Sequence, residues 1–113
     1  MAGWDALSPE VPLDATVPNW QFSVRGDATV RAELSRWYAD AATFGELKRT
    51  PLPTGELVEF TAGWEQGGLP HATHQAHLVE VTHGRITRDQ VWCGGRWSVT
   101  LLAKMAEAAD ATT

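Results

Sequence analysis

The chain has 113 residues, of which nine are basic and fourteen acidic, giving a net charge of −5 with the histidines neutral. That length supports one domain, 1–113, with a single core, and the basic residues are scattered from Arg25 to Lys104, which excludes the concentrated positive surface that nucleic-acid binding needs. No run approaches the roughly 20 apolar residues that span a bilayer, and residues 1–10 lack the basic-then-apolar layout of a secretory signal, so a soluble cytosolic protein with neither nucleic-acid nor membrane partner is expected.

Residues Glu10 to Arg25 are rich in β-branched and aromatic side chains, but Pro12 and Pro18 each remove a ladder donor. The expectation is two short or edge strands broken near Pro18-Asn19. Gly26-Asp27 then opens a helix that Asp27 can cap. Val30, Leu34, Trp37, Tyr38 and Ala41 form its single apolar stripe, with Arg31, Ser35 and Arg36 opposite. A strand is predicted at Leu47 to Arg49, ended by Pro51-Leu52-Pro53-Thr54-Gly55. Three longer strands follow at about Glu56–Glu65, Leu69–Thr82 and Arg85–Cys93, divided by Gln66-Gly67-Gly68 and His83-Gly84. Both dividers are hairpin signals. Ser98 can cap a last helix carrying Leu101, Leu102, Met105, Ala106 and Ala109 on one side, fraying at Ala111-Thr112-Thr113.

A two-residue turn at His83-Gly84 places Thr82 opposite Arg85, Leu78 opposite Asp89 and His74 opposite Cys93. The glycine turn allows two registers, with His74 opposite Glu59 or Thr61. One face then carries Leu57, Glu59, Thr61, His74, Ala76, Leu78, Thr87, Asp89, Val91 and Cys93. The other carries Val58, Phe60, Ala62, Trp64, His71, Thr73, Gln75, His77, Val79, Ile86, Arg88, Gln90 and Trp92. Hydrophobicity alone buries the second face. The first has small side chains around a few ionisable ones, as a sheet does where it leaves room for a ligand.

With Leu7-Ser8-Pro9-Glu10-Val11 entering a strand, Gly26-Asp27-Ala28 opening a helix, and Gly84-Arg85-Ile86 beginning a strand through Val91-Trp92-Cys93-Gly94-Gly95-Arg96-Trp97, the chain resembles the SnoaL-like, polyketide cyclase-type branch of the nuclear transport factor 2-like superfamily. The resemblance covers most of the chain from Leu7 onward. It implies an α+β fold in which a cone-shaped, curved mixed β-sheet packs on helices around an internal pocket, and dimerisation through the outer sheet face. It also implies that Thr87, Asp89, Val91 and Cys93 line the pocket, which gives the small-residue face to the ligand and the apolar face, with Phe60, Trp64 and Trp92, to a homodimer contact. Two departures stand out. Only Met1 to Leu7 precede the first strand, where the family begins with a long helix. Val17 precedes Pro18 where the steroid isomerases carry a catalytic aspartate.

The candidate proton carriers are His74 and Asp89, with Glu59 in support, because a buried carboxylate beside a histidine can be tuned for acid–base work; the competing reading is a set of satisfied polar groups in a binding pocket. Cys93, Val91, Thr61, Tyr38, Trp37 and Trp20 are candidate pocket residues. A nucleophilic Cys93 activated by His74 competes with a cysteine packed as a small hydrophobe. A tyrosine hydroxyl at position 38 can donate to a carbonyl or enolate oxygen, or simply complete the core. His71, His74 and His77 have ligand-like spacing, but a strand sends His74 to the opposite side from the other two, so no metal is expected. Arg96, after two glycines, can reach an anionic ligand or Asp89. The reading is an acid–base cyclase, isomerase or hydrolase acting without a cofactor on an apolar or aromatic carbonyl compound. The alternative is a non-enzymatic ligand-binding or dimerisation module.

Overall fold

The computed structural model describes residues 7–39 and 43–111. Six strands, β1 (Pro12–Val17), β2 (Trp20–Arg25), β3 (Thr43–Leu52), β4 (Gly55–Gln66), β5 (Leu69–Thr82) and β6 (Arg85–Cys93), form one mixed sheet in the order β2-β1-β6-β5-β4-β3. Only β1 and β6 run parallel; the other neighbours are antiparallel. Helix α1 (Asp27–Trp37) packs across the concave side, and α2 (Val99–Ala111) follows the sheet.

The turns form where glycine and proline predict them. Gln66 pairs with Leu69 and Thr82 with Arg85, leaving two-residue loops whose central residues, Gly67-Gly68 and His83-Gly84, all have positive φ, the tight hairpin geometry. Asn19 takes φ 62° between β1 and β2. The strand expected at Leu47 to Arg49 extends to ten residues, and Pro51 is tolerated because β3 is an edge strand.

Asp27 does not cap α1 from outside. Gly26 holds the cap position with φ 99°, and Asp27 is the first helical residue, bonded to Arg31 at 2.8 Å. Val30 and Leu34 are buried, while Trp37 and Tyr38 pack at the edge of the same core; Ala41, the last residue of the expected stripe, lies outside the described residues, as do residues 1–6 and 112–113. Ser98 does cap α2, its Oγ accepting from the Leu101 N–H at 3.3 Å. No described residue of α2 is fully buried; the helix touches the sheet at β5, with Leu102 half-buried.

The core is concave-side. Leu7, Val11, Leu13, Ala15 and Val91 meet Val30 and Leu34, and a second cluster joins Val58, Phe60 and Ala62. The Tyr38 ring touches both clusters, 6.0 Å from Phe60 and 6.1 Å from Phe44 by ring centroids. It is the link between the helix and the far half of the sheet.

One irregularity alters the expected faces. Thr82 and Val81 pair with Arg85 and Ile86, but Glu80 pairs with Arg88, so Thr87 is an extra residue on β6. Its hydroxyl donates to the Glu80 carbonyl at 3.3 Å. Such a bulge bends the strand and moves every later side chain to the opposite face. Cys93 therefore pairs with Gln75, not His74, and Asp89 with Val79, not Leu78. The concave face unites Val58, Phe60, Ala62 and Trp64 of β4, the odd-numbered residues from His71 to Val79 of β5, and Asp89, Val91 and Cys93 of β6. Hydrophobicity named the right face for β4 and β5, and the resemblance named it for β6.

Candidate functional site

Alternation along β5 aims Thr73, Gln75 and His77 at the concavity, and the bulge brings Asp89 onto the same side. His77 has no solvent exposure and Asp89 only 4 %. The His77 Nδ1 lies 2.9 and 3.1 Å from the two Asp89 carboxylate oxygens. Its ring stacks on Phe60 with centroids 5.7 Å apart at 16°. Across the imidazole, Nε2 is 2.9 Å from the Tyr38 hydroxyl.

The chain of contacts continues. The Tyr38 hydroxyl donates to Gln75 Oε1, and Gln75 Nε2 donates to the Cys93 sulfur at 3.4 Å. The same sulfur receives the Gly95 N–H at 3.4 Å and lies 3.4 Å from Thr73 Oγ1. A hydroxyl has one proton to give. With that proton on Gln75, the Tyr38 oxygen must accept from Nε2–H, while Nδ1 shares a proton with the carboxylate. The hydrogen bonds then run in one direction, from the Asp89–His77 pair through Tyr38 and Gln75 to Cys93, and chains so aligned reinforce one another. Tyr38 is held protonated, its pKa pushed far above the usual phenol value by burial first and then by the electrostatic influence of nearby Asp89 and Cys93.

Tyr38, Gln75, Thr73 and Cys93 open onto a cleft of about 510 Å³, within the range of small-molecule sites. Phe22, Trp37, Ala62 and Trp64 supply apolar walls, and Val17 and Pro18 close one side. Glu33, Arg36 and Arg96 bring charge to the same cleft. The Glu33 carboxylate accepts from the Trp37 indole N–H at 2.9 Å and pairs with Arg36. Arg96 lies over the Trp64 ring, 4.6 Å from its centroid.

The residues singled out from sequence divide sharply. Asp89, Cys93, Tyr38 and Trp37 meet at or beneath the cleft. Val91 is in the core behind it. His74, Glu59 and Thr61 are on the convex face, because the odd-numbered side of β4 and the even-numbered side of β5 face out; His74 there neighbours Thr61, 3.3 Å away. The expected cluster of His74 with Cys93, Asp89 and Glu59 is thus not formed. Trp20 is 68 % exposed on the edge strand β2 and away from the cleft lining. Phe60 and Trp64, expected at a dimer contact, are buried on the concave side; Trp92 alone of the three is outside, 40 % exposed. His77 and Gln75, assigned to the apolar face, are the polar groups sequence reasoning passed over.

No family profile and no curated protein matches the sequence. Solved structures do. A protein from Catenulispora acidiphila with a ketosteroid isomerase-like fold, solved with trimethylamine, is 16 % identical over 80 % of this chain and 72 % of its own, with a TM-score of 0.61. The chain has the nuclear transport factor 2-like fold. A nuclear transport factor 2-like protein of unknown function from Cytophaga hutchinsonii covers 80 % of each chain at 8 % identity and TM-score 0.62. A candidate isomerase from Bacillus subtilis covers 80 % of this chain and 71 % of its own at 14 % identity and TM-score 0.63. Identities this low speak for the nuclear transport factor 2-like architecture and leave the chemistry to the site.

Proposed function

We propose that this nuclear transport factor 2-like domain, of SnoaL-like character, binds a small apolar or aromatic carbonyl compound in the cleft and carries out acid–base chemistry of the isomerase or cyclase type. The observation that supports this reading is the Tyr38 hydroxyl on the cleft, backed by His77 and Asp89 in a water-poor core. A phenol held protonated and fed from behind by an N–H can turn its one proton from Gln75 to the oxygen on which charge develops as a ketone enolises. Glu33, oriented by the Trp37 indole N–H and by Arg36, is the carboxylate on the cleft wall assigned to take the carbon-bound proton and return it to a neighbouring carbon. Val17, where related steroid isomerases are expected to carry an aspartate, offers no base although it lines the cleft.

Proton nuclear magnetic resonance of enolisable bicyclic ketones in deuterated water tests this. Wild type should wash out the α-protons, Tyr38→Phe should slow the exchange about 100-fold, the scale of one lost oxyanion donor, and Glu33→Gln should slow it similarly. Binding without exchange would leave the ligand-binding module, which the mutual satisfaction of the cleft's polar groups also favours. Self-association, if it occurs on the convex face, would use Trp92 with the half-buried Leu57–Leu78 pair; light scattering of wild type and Trp92→Ala reads it.

A further inference from the structure

Among the cations of the cleft, Arg36 is neutralised by Glu33, whereas Arg96 has no carboxylate within ion-pair distance among the described residues. Its guanidinium is nonetheless held in place. It lies on Trp64, which is itself stacked on His71 with centroids 5.8 Å apart at 23°. The backbone leading to it is also fixed. Gly95 turns at φ 106°, where a side chain would strain the chain, and an added Cβ would come within 3.1 Å of the Pro18 ring. Just beyond, Trp97 bridges to Ala72 of β5 through hydrogen bonds of 2.7 and 3.0 Å. The segment is therefore anchored on both sides of Arg96.

We infer that the cleft selects a ligand with a carboxylate: a flat oxo-acid whose carbonyl meets Tyr38 and whose carboxylate pairs with Arg96. This rests on the cleft being the ligand site and deepens that reading by naming the substrate class. In a chain of net charge −5, an unmatched guanidinium beside an apolar wall supplies the local attraction that the overall charge denies an anion. A planar guanidinium also presents paired N–H donors that match a carboxylate, and its stacking on an indole leaves those in-plane donors free. The apolar rings of Phe22, Trp37 and Trp64 suit the flat body between the two polar ends.

Calorimetric titration with 1-tetralone-6-carboxylate and its uncharged carboxamide tests the inference without turnover. Wild type should bind the acid about tenfold or more tightly than the amide, as expected for a charge-assisted hydrogen bond. Arg96→Gln should abolish that advantage, Arg96→Lys should restore part of it, and Arg36→Gln should leave it standing. Equal binding of acid and amide by wild type overturns the inference, as does an advantage that survives Arg96→Gln or failure of both probes to bind. Because the readout is affinity, α-proton exchange on neutral ketones can succeed while the acid preference fails, or the reverse, and the two readings fall separately.

Discussion

The buried Asp89–His77 pair can be weighed by removing its members singly and together. Asp89→Ala strips the acceptor from a His77 Nδ1 that no solvent reaches, and loss of one partner of such a pair costs about 3–5 kcal/mol. His77→Leu leaves the carboxylate without its partner and also takes the Nε2 donor from Tyr38, with a cost of the same order. Unfolding entropy scales to about 240 cal/mol/K for a chain of this size, so each kcal/mol moves the melting point by about 4 °C. Asp89→Ala should accordingly melt about 12–20 °C below wild type. The double variant should fall short of the sum of the singles by about 1–3 kcal/mol, the usual coupling of groups in contact. Urea unfolding followed by tryptophan fluorescence gives all four free energies, with constant slopes confirming comparable unfolded states. Additivity within about 0.5 kcal/mol would mean that the two side chains stabilise the fold independently, and the chain of hydrogen bonds leading to Tyr38 would lose its anchor.

Tyr38 is the protein's one tyrosine, so ultraviolet titration reads it alone. Its phenolate should not form near the ordinary pKa of about 10 while the protein is folded, and a folded-state midpoint there contradicts the burial described. Because the folded pKa is raised, the associated stability is complete below about pH 10 and falls as pH rises beyond it, where the unfolded chain releases a proton the folded one retains; urea midpoints across that window should decline. Gly55→Ala would place a Cβ 1.8 Å from the Val79 carbonyl oxygen and should cost about 3 kcal/mol or more, a wild-type urea midpoint being the contrary result. Deleting Thr87 should leave near-ultraviolet circular dichroism close to that of wild type, since Ile86 and Arg88 already pair with the adjacent Val81 and Glu80 and both the turn and the inward face of β6 survive its loss; a lost aromatic signal would refute the reading of Thr87 as an extra residue.

Local chemistry made much of the fold legible. Glycine pairs, the break at Pro18-Asn19 and the Val30–Leu34 stripe each act over a few residues, and those elements lie where they were expected. The site depends on register, which one residue can reverse. A signal was present in the change of parity along β6: Ile86 and Val91 both pack against the same core although five positions apart, and on an uninterrupted strand an odd separation puts them on opposite faces. Treating His83-Gly84 as the start of an unbroken ladder hid that conflict. Gln75 and His77 escape a reading of the sequence for another reason: their face is given to a subunit contact, and the partner that shows their role, Tyr38, is distant in sequence.

The bulge has a chemical consequence beyond shape. Were Thr87 paired in an unbroken ladder instead of bulged, the register begun at Thr82 and Arg85 would set His77 opposite Gln90 and diagonal to Arg88, and would send Asp89 to the convex face beside Leu78. A guanidinium would then approach a fully buried imidazole, with no carboxylate to receive its Nδ1 proton. The extra residue exchanges a cation for an anion next to His77. Arg88 turns outward to pair with Asp14 at 3.1 Å, and Asp89 turns inward to orient the ring that faces Tyr38. The direction of the hydrogen bonds reaching the cleft follows from that exchange, so the same irregularity that curves the sheet also sets the side from which the Tyr38 hydroxyl is held.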